Sequence, residues 1–567
     1  MPGRAIAYPR DEETPIPRGV YTVGMSKNVV IIGGVAGGMS TATRLRRLDP
    51  SANIIVLERS TYVSYANCGL PYHLSGVITD RDALILQTPE GLNKRFDLDV
   101  RVGTEAVAID PAAQTVVAKH LLTGEETTLS YDVLVLSPGA STIVPPIPGV
   151  ERAMPLRTVE DMDSLLGRLA EKPKHVTVIG GGFIGVEVAE NMRHLEIDVT
   201  LVEAAPQVLA PIDPEMVKTV QDVMVRNGID LRLGAQAAGI DESGVVLADG
   251  SRVETDLVVL AIGVRPDVSL AKAMGLEIGA RGGIHTDEFN RTSVPNIYAI
   301  GDAAEKVDAL DGTAALVPLA NIANRQGRIV ADHIAGLTPR VVPAQVTAIV
   351  KVFNLAVAST GWNEKRLIAA GRKYIAVHTH PGSHAGYYPG QELMMLKLLF
   401  DPETLQILGA QGVGGEGVDK RIDVIATAMR GGITAPELMD LELAYAPPFS
   451  SAKDPVNMLG YIADNIVAGS TRTVQWSELD ALVADGATVV DVRTKYEFSR
   501  SSIPGALHIP IDELRERHTE IPAGKVIVYC QVGHRGHTAT MYLRGIGIDA
   551  YNLDGGMSTW AKSPAHH

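Results

Sequence analysis

Cysteine is nearly absent from this sequence, with only Cys68 and Cys530 among 567 residues. Two cysteines cannot form the disulfide framework that stabilises many secreted proteins. We therefore predict a reducing compartment, the cytoplasm.

Long apolar runs and an excess of positive charge are also missing. No stretch reaches the roughly 18 apolar residues of a membrane span, so we expect none. The 51 Lys and Arg against 66 Asp and Glu give a net charge of −15. A chain of this charge is not attracted as a whole to nucleic acid or to an anionic membrane, and we predict neither partner. Local basic sites for a phosphorylated ligand remain compatible with it.

The first 24 residues are rich in Pro, Gly and charge, and they lack the apolar centre of a secretion signal. We predict that residues 1–24 form a disordered extension. A first strand–helix unit then follows in "NVVIIGGVAGGMSTATRLRRL" (28–48) and "NIIVLER" (53–59). Glycines between a strand and a helix let the backbone approach a pyrophosphate, whose charge the helix N-terminus stabilises. The predicted contacts of this first fingerprint are Gly33, Gly34, Val35, Gly37, Gly38, Glu58 and Arg59, with Val35 where the usual pattern has its middle glycine.

A second fingerprint, "HVTVIGGGFIGVEVAENMRHLEIDVTLVEAAP" (175–206), has its glycines in full register. Glu203 ends the following strand, and a carboxylate there favours NADH because it repels the extra phosphate of NADPH. NADPH stays open as an alternative. Two copies argue against a doubly wound domain without a nucleotide. The predicted contacts are Gly180, Gly182, Phe183, Ile184, Gly185 and Glu203.

Three further strands end in glycine turns, "YDVLVLSPGA" (131–140), "TDLVVLAIGVRPD" (255–267) and "TSVPNIYAIGDAAE" (292–305). Together with the fingerprints they resemble the flavoproteins with two dinucleotide-binding domains, which include the pyridine-nucleotide disulfide reductases. The resemblance covers about residues 27–468. It implies FAD at the first fingerprint, NAD(P)H at the second, and a hydrogen bond from Asp302 to the ribityl chain of the flavin. It adds Gly139, Gly263 and Gly301 to the cofactor contacts.

Cys68 lies in "SYANCGLPY" (64–72), where no second cysteine is near enough for an internal disulfide. The thiol can cycle through a sulfenic acid, form a mixed disulfide with a small thiol, or be buried and inert. The polar, Gly- and Pro-bearing segment is unlike a core strand. It closely resembles the signature of coenzyme A-disulfide reductases and of their NADH oxidase and peroxidase relatives.

Two later segments, "HAGYYPG" (384–390) and "LAYAPPFSSAKDPVN" (443–457), resemble the coenzyme A-disulfide reductase branch. The resemblance implies a homodimer in which Tyr445 and Tyr387, preferred over Tyr388, reach the thiol site of the partner subunit. A phenol there can donate a proton to a leaving thiolate. Packing at the interface is the alternative role, since tyrosine is common at interfaces.

The same resemblance implies contacts to coenzyme A. Cationic side chains suit its phosphates, and Arg44 and Arg47 lie three apart on one helical face, although a solvated basic face would have the same pattern. Asn324 stands where relatives can carry a histidine contact. The predicted substrate residues are Ser40, Arg44, Arg47, Ser64, Asn67 and Lys453.

In the C-terminal part, "ATVVDVRTKYEFSRSSIPGALHIPIDELRER" (487–517) precedes a strand that ends at Cys530, a short loop and a helix. Backbone amides of such a loop can cradle sulfur and stabilise a thiolate. The segment resembles a single rhodanese domain. A phosphatase loop needs one residue more than the four between Cys530 and Arg535. We predict that Cys530 carries sulfane sulfur, with a purely structural module as the alternative.

The expected fold class is α/β, with two Rossmann-like dinucleotide-binding domains, an α+β dimerisation domain and a C-terminal α/β rhodanese domain. The predicted boundaries are 25–140 and 267–344 for FAD, 141–266 for NAD(P)H, 345–468 for dimerisation and 469–567 for rhodanese. The predicted enzyme uses FAD and NADH to reduce CoA disulfide, CoA persulfide or polysulfide through Cys68. The alternatives are an NADH oxidase or peroxidase and a regulatory sulfur carrier. No pattern predicts a metal site.

Overall fold

The computed structural model describes residues 27–564, and the predicted disordered extension lies outside them. The first fingerprint opens a five-stranded parallel sheet. Its strands carry β-branched, buried side chains, as expected for a sheet covered on both faces. The fingerprint helix Ala36–Leu48 packs against helix Ala320–Ile334, which belongs to the later part of the chain. In spatial order the strands are Ile297–Ala299, Val133–Leu136, Asn28–Ile32, Asn53–Leu57 and Asp99–Arg101.

The second fingerprint builds another five-stranded parallel sheet, on which helices Phe183–His194 and Pro214–Arg226 pack. A helix at Val159–Leu169 precedes the sheet's first fingerprint strand. Its strands in spatial order are Ile229–Leu233, Asp198–Glu203, His175–Ile179, Leu257–Leu260 and Ala153–Pro155. Each parallel sheet carries an antiparallel three-stranded sheet beside it, formed by Thr104–Asp110, Thr115–His120 and Glu126–Ser130 in one case and by Ala237–Asp241, Gly244–Leu247 and Arg252–Glu254 in the other.

A third sheet is antiparallel, and its two inner strands, Met394–Phe400 and Ile407–Gly414, are buried along their whole length. Such uninterrupted burial means that both faces of the sheet are covered. Helices Val418–Gly431 and Pro455–Val467 contribute to its hydrophobic core. The remaining strands are Ala348–Val352, Leu355–Gly361 and Ile375–Thr379.

The C-terminal sheet is parallel, and its central strand Val526–Tyr529 leads directly into Cys530. Helix His534–Gly545 begins four residues after that cysteine and packs on the sheet. Shorter helices lie at Leu479–Ala484, Lys495–Arg500, Leu514–Arg517 and Gly556–Trp560. The other strands are Thr473–Val474, Ala550–Leu553, Thr488–Asp491 and Leu507–His508.

A buried network of charged side chains joins the second, third and fourth sheets. Lys397 Nζ contacts Asp213 at 2.9 Å and both Glu215 and Glu364 at 2.5 Å. His378 bridges Glu215 at 3.1 Å and Asp554 of the C-terminal unit at 2.7 Å. Burial alone would lower the pKa of Lys397, but the carboxylates raise it above its ordinary value. The ammonium is therefore charged, and the network fixes the C-terminal unit against the rest of the chain.

Within residues 27–564, none of the helices combines the length and the apolar character that crossing a bilayer demands.

Candidate active site

The first fingerprint forms one wall of a cavity of about 560 Å³. The turn of this fingerprint requires glycine, because a Cβ added at Gly38 would lie 1.9 Å from the carbonyl oxygen of Gly33. Glu58 Oε2 accepts a hydrogen bond from Gly34 N at 2.7 Å, which fixes the loop. This narrow glycine turn, an acidic side chain at the next strand end and the adjoining cavity fit a dinucleotide. Of the predicted contacts, the cavity lining includes Gly33, Val35, Gly37, Glu58, Arg59, Gly139, Gly301 and Asp302, whereas Gly34 and Gly38 shape the turn behind it.

The second fingerprint repeats this geometry beside a larger cavity of about 1690 Å³. A Cβ at Gly185 would lie 1.9 Å from the carbonyl oxygen of Gly180, and Glu203 Oε2 accepts from Gly181 N at 2.6 Å. The same fit to a dinucleotide follows. The predicted residues lining this cavity are Gly180, Gly182, Phe183, Ile184, Glu203 and Gly263.

Cys68 lies where the two cavities meet, because Asn67, Cys68, Arg157 and Asp302 line both. The thiol is exposed to this space and sits in a single helical turn, Asn67–Gly69, just before the short helix Leu70–Leu74. Burial raises the pKa of Cys68, and the carboxylates of Glu187 and Asp302 raise it further. The side chains around Cys68 therefore favour the protonated thiol over the thiolate.

Glu187 is a residue of this site that the sequence analysis missed. It lies one helical turn after Phe183 and lines the same cavity as Cys68. Tyr72 donates a hydrogen bond from its hydroxyl to Glu187 Oε1 at 3.2 Å. Burial raises the pKa of Glu187 to about 7. The available signal in the sequence was an acidic residue about one turn into the helix of the second glycine fingerprint.

The predicted coenzyme A contacts on the fingerprint helix have partners of their own. Ser40 Oγ donates a hydrogen bond to Asn324 Oδ1 at 2.8 Å. Asn324, which stands where relatives can carry a histidine, therefore lies beside the predicted contact Ser40. Arg44 donates to Asp332 at 2.7 Å, whereas Arg47 is exposed. One guanidinium that is paired within the chain and one that is exposed thus lie three residues apart.

The remaining predicted substrate residues lie in two different places. Asn67 lines both cavities, and Ser64, three residues earlier, adopts a left-handed backbone with φ of 49° that shapes the segment. Lys453 is exposed on the unit of the antiparallel sheet, with its ammonium 5.6 Å above the ring of Tyr461. Within one chain, Lys453 is therefore not one of the described residues that line the cavities at Cys68.

The two predicted catalytic tyrosines meet each other on an exposed surface. Their hydroxyl groups lie 2.9 Å apart, with 76% of Tyr387 and 48% of Tyr445 exposed. Neither is among the described residues that line the cavities at Cys68. Within one chain the phenols and the thiol therefore belong to separate surfaces, so any joint action needs a second subunit.

Cys530 differs from Cys68 in being fully buried. Its carbonyl oxygen accepts from Met557 N at 2.8 Å, and that of Gln531 accepts from Ser558 N at 2.9 Å. The turn that begins at Gly555 thus anchors the loop before helix His534–Gly545. The side chain of Arg535 forms two hydrogen bonds with Glu497, at 2.9 and 2.6 Å.

Comparison with known proteins agrees with these features. The family model described as pyridine nucleotide-disulphide oxidoreductase matches residues 27–327, its dimerisation domain matches 347–455, and a rhodanese-like domain matches 475–563. The chain belongs to the pyridine nucleotide-disulphide oxidoreductase family and carries a rhodanese-like domain in addition. The prediction of fold class is confirmed, as are the FAD and NAD(P)H cofactors that this family uses.

Three similar proteins span most of the chain. The solved structure of reduced Bacillus anthracis CoADR-RHD is 48% identical, has a TM-score of 0.93, and is matched over 95% of this chain and 98% of that one. A NAD-dependent persulfide reductase from A. fulgidus is 36% identical with a TM-score of 0.88, over 94% of this chain and 100% of that one. The coenzyme A disulfide reductase of Staphylococcus aureus (strain JH9) is 36% identical over 439 residues, which are 77% of this chain and 99% of that protein.

Proposed function

We propose that this protein reduces CoA disulfide, CoA persulfide or polysulfide with electrons from NADH. The observation that carries the proposal is the position of Cys68 at the meeting point of two dinucleotide cavities. The kinship to a coenzyme A disulfide reductase and a persulfide reductase supports the substrate class and argues against the NADH oxidase alternative. Because both cysteines must stay reduced, we place the enzyme in the cytoplasm.

In this proposal residues 25–140 and 267–344 hold FAD, residues 141–266 hold NADH, residues 345–468 form a homodimer, and residues 469–567 handle sulfane sulfur. Gly33, Val35, Gly37, Glu58 and Asp302 line the FAD site. FAD held by these residues would supply two-electron transfer from NADH to sulfur attached to Cys68. Glu203 at the second fingerprint favours NADH over NADPH by charge.

Cys68 acts as the nucleophile. Its thiolate attacks the sulfane sulfur of a CoA persulfide, a new S–S bond forms, and the CoA thiolate leaves with the electron pair of the broken S–S bond. Tyr445 and Tyr387 of the partner subunit donate the proton that the leaving thiolate takes. Two electrons and a proton then release hydrosulfide and restore the Cys68 thiolate. With CoA disulfide, the same steps release a second CoA thiol.

Cys530 acts as a separate sulfur carrier. It accepts sulfane sulfur from a donor and passes it to coenzyme A, which supplies the persulfide that Cys68 reduces. Ser40, Arg44, Arg47, Ser64, Asn67 and the partner subunit's Lys453 bind coenzyme A in this proposal. The cations face its phosphates and Asn67 lies next to the reacting sulfur.

The test is anaerobic NADH oxidation by the wild type, Cys68→Ser and Cys530→Ser proteins with CoA disulfide, CoA persulfide and polysulfide. We expect Cys68→Ser to lose turnover with all three, and Cys530→Ser to keep turnover with CoA persulfide. Full sulfur-reductase activity of Cys68→Ser would refute the proposal. NADH-dependent reduction of oxygen or peroxide faster than that of every sulfur substrate would instead identify an oxidase or peroxidase.

A further inference from the structure

Two arginines flank the loop that carries Cys530, and a carboxylate neutralises each of them. Arg493 is buried, pairs with Asp491 at 2.7 Å and donates to the loop residue Gln531 at 3.1 Å. Arg535 pairs with Glu497 through both of its terminal nitrogens, at 2.9 and 2.6 Å. The guanidinium groups that flank this loop therefore present little net positive charge to a donor.

Glu497 is held in place from a second side. It is the third residue of helix Lys495–Arg500, and its Oε2 accepts hydrogen bonds from the backbone N and the hydroxyl of Thr494 at 3.0 and 2.8 Å. This capping box fixes the side chain that reaches Arg535. Arg535, followed by the hydrogen bonds of Thr494, lowers the pKa of Glu497 to about 2, so the carboxylate is ionised at every pH at which the protein works.

Arg535 is the second residue of helix His534–Gly545, at the end of the short loop that begins at Cys530. Glu497 is the main cause of its raised pKa, and Cys530 contributes as well. One guanidinium thus interacts with a fixed carboxylate and with the thiol that receives sulfur. Any anionic donor that approaches Cys530 meets Arg535 already paired, with the carboxylate of Glu497 next to it.

We infer that Glu497 determines the sulfur donor of Cys530, and that it excludes dianionic inorganic donors such as thiosulfate in favour of organic persulfides. The inference rests on the proposed sulfur-carrying function of Cys530. It adds the class of donor and the residue that selects it.

Charge balance gives the physical reason. The Cys530 thiolate attacks the outer sulfur of either donor, forms Cys530–S–S⁻, and breaks the donor's S–S or S–SO₃ bond, whose electron pair leaves with a thiolate or with sulfite. No external oxidant or reductant takes part. A persulfide anion and the thiolate together bring two negative charges into the loop, whereas thiosulfate and the thiolate bring three. An unpaired Arg535 would compensate the third negative charge. Because Glu497 already neutralises Arg535, the third charge stays uncompensated and is repelled by the other negative charges in the loop.

The experiment measures sulfur transfer to cyanide by the full-length holoenzyme, with thiosulfate and with cysteine persulfide as donors. The ammonium and carboxylate of cysteine persulfide cancel, so that this donor is a monoanion. Glu497→Gln keeps the size and hydrogen-bonding groups of the side chain and removes its charge. We expect its kcat/KM for thiosulfate to rise about fivefold or more, mainly through a lower KM, and its kcat/KM for cysteine persulfide to stay within about twofold. The matched control is Glu513→Gln, which removes the charge of an exposed glutamate paired with Arg517 in the same domain and leaves both values unchanged.

A ratio of the two kcat/KM values that is the same in Glu497→Gln and in the wild type would overturn the inference. If the variant fails to fold, the salt dependence of the wild-type enzyme provides a second test. Added salt should raise the ratio of thiosulfate to persulfide activity if Glu497 repels thiosulfate. A ratio that falls with salt would mean that the loop attracts thiosulfate, contrary to the inference. Mass spectrometry of Cys530 tests the proposed function separately. If neither donor adds a sulfur atom to Cys530, that function fails. If both donors do so with an unchanged ratio, only the role of Glu497 fails.

Discussion

Tyr387 and Tyr445 share a hydrogen bond of 2.9 Å between their hydroxyl groups, although 58 residues separate them in the sequence. One phenol donates and the other accepts, and this contact is the main reason for the raised pKa of Tyr387. The neighbouring Tyr388 instead packs edge-on against His384, with ring centres 5.5 Å apart. One of the two hydroxyl protons thus lies between the phenol oxygens, at the surface of the antiparallel-sheet unit.

Removing either hydroxyl of this pair tests the role proposed for it. We expect Tyr445→Phe to lower kcat with CoA disulfide by about tenfold to a hundredfold, because the leaving thiolate loses its proton donor. Tyr387→Phe is expected to have a smaller effect in the same direction. Steady-state NADH oxidation measures both, and Tyr388→Phe is the control that should stay close to wild type. A Tyr445→Phe enzyme as active as Tyr388→Phe would limit the tyrosine to interface packing.

The two fingerprints allow the cofactor assignment to be tested by adding single methyl groups. Gly38→Ala places a Cβ 1.9 Å from the oxygen of Gly33, so we expect purified protein without flavin absorbance. Gly185→Ala makes the same clash with Gly180 in the second fold. This variant should keep its flavin and fail to be reduced by NADH. Gly167 in helix Val159–Leu169 provides the control, because among the described residues no atom outside its own helix backbone lies within 4 Å of an added Cβ. Gly167→Ala should therefore retain both properties.

Glu187 should control the ionisation of Cys68. Burial is the larger cause of the raised pKa of Cys68 and the charge of Glu187 is the next, so Glu187→Gln should lower it. In a Cys530→Ser background Cys68 is the only cysteine, and its alkylation rate against pH reports this pKa directly. Glu171→Gln, at an exposed position of the same domain, should not change the profile. A Cys68 pKa that is the same in both variants would contradict the electrostatic link.

Glu187 should also make the stability of the folded protein depend on pH. Its pKa is raised from 4.5 to about 7 by burial, so the folded state favours the neutral carboxyl group. The resulting stabilisation is fully present below pH 4.5 and is lost as the pH rises through about 7. Between pH 6 and pH 8 we therefore expect the wild type to lose more melting temperature than Glu187→Gln.

The buried network around Lys397 should dominate the stability of the junction between the units. Lys397→Met leaves Asp213, Glu215 and Glu364 facing one another without their cation, which costs about 3–5 kcal/mol for a buried pair broken on one side. Thermal unfolding should show a large fall in melting temperature. Lys373→Met removes an exposed pair with Glu403 at 3.3 Å and should cost at most about 1 kcal/mol. Equal shifts in the two variants would contradict this account.

The sequence by itself predicted the fold class and two dinucleotide-binding units, and it indicated that Cys68 has no disulfide partner nearby in the chain. These features depend on local patterns: glycines between a strand and a helix, an acidic strand end, and the spacing of two cysteines. A turn that admits no Cβ can be recognised from the residues that form it, because the clash at Gly38 or Gly185 involves a partner only five residues away.

Only the tertiary structure brought together groups that lie far apart in the sequence. The pairing of Tyr387 with Tyr445, of Arg535 with Glu497, of Tyr72 with Glu187 and of His378 with Asp554 depends on how separate segments pack. No local pattern encodes these contacts, since charges and hydroxyls meet where hydrophobic burial of other residues places them. The sequence therefore predicted candidate groups for the chemistry, and the packing decided which neighbours surround them.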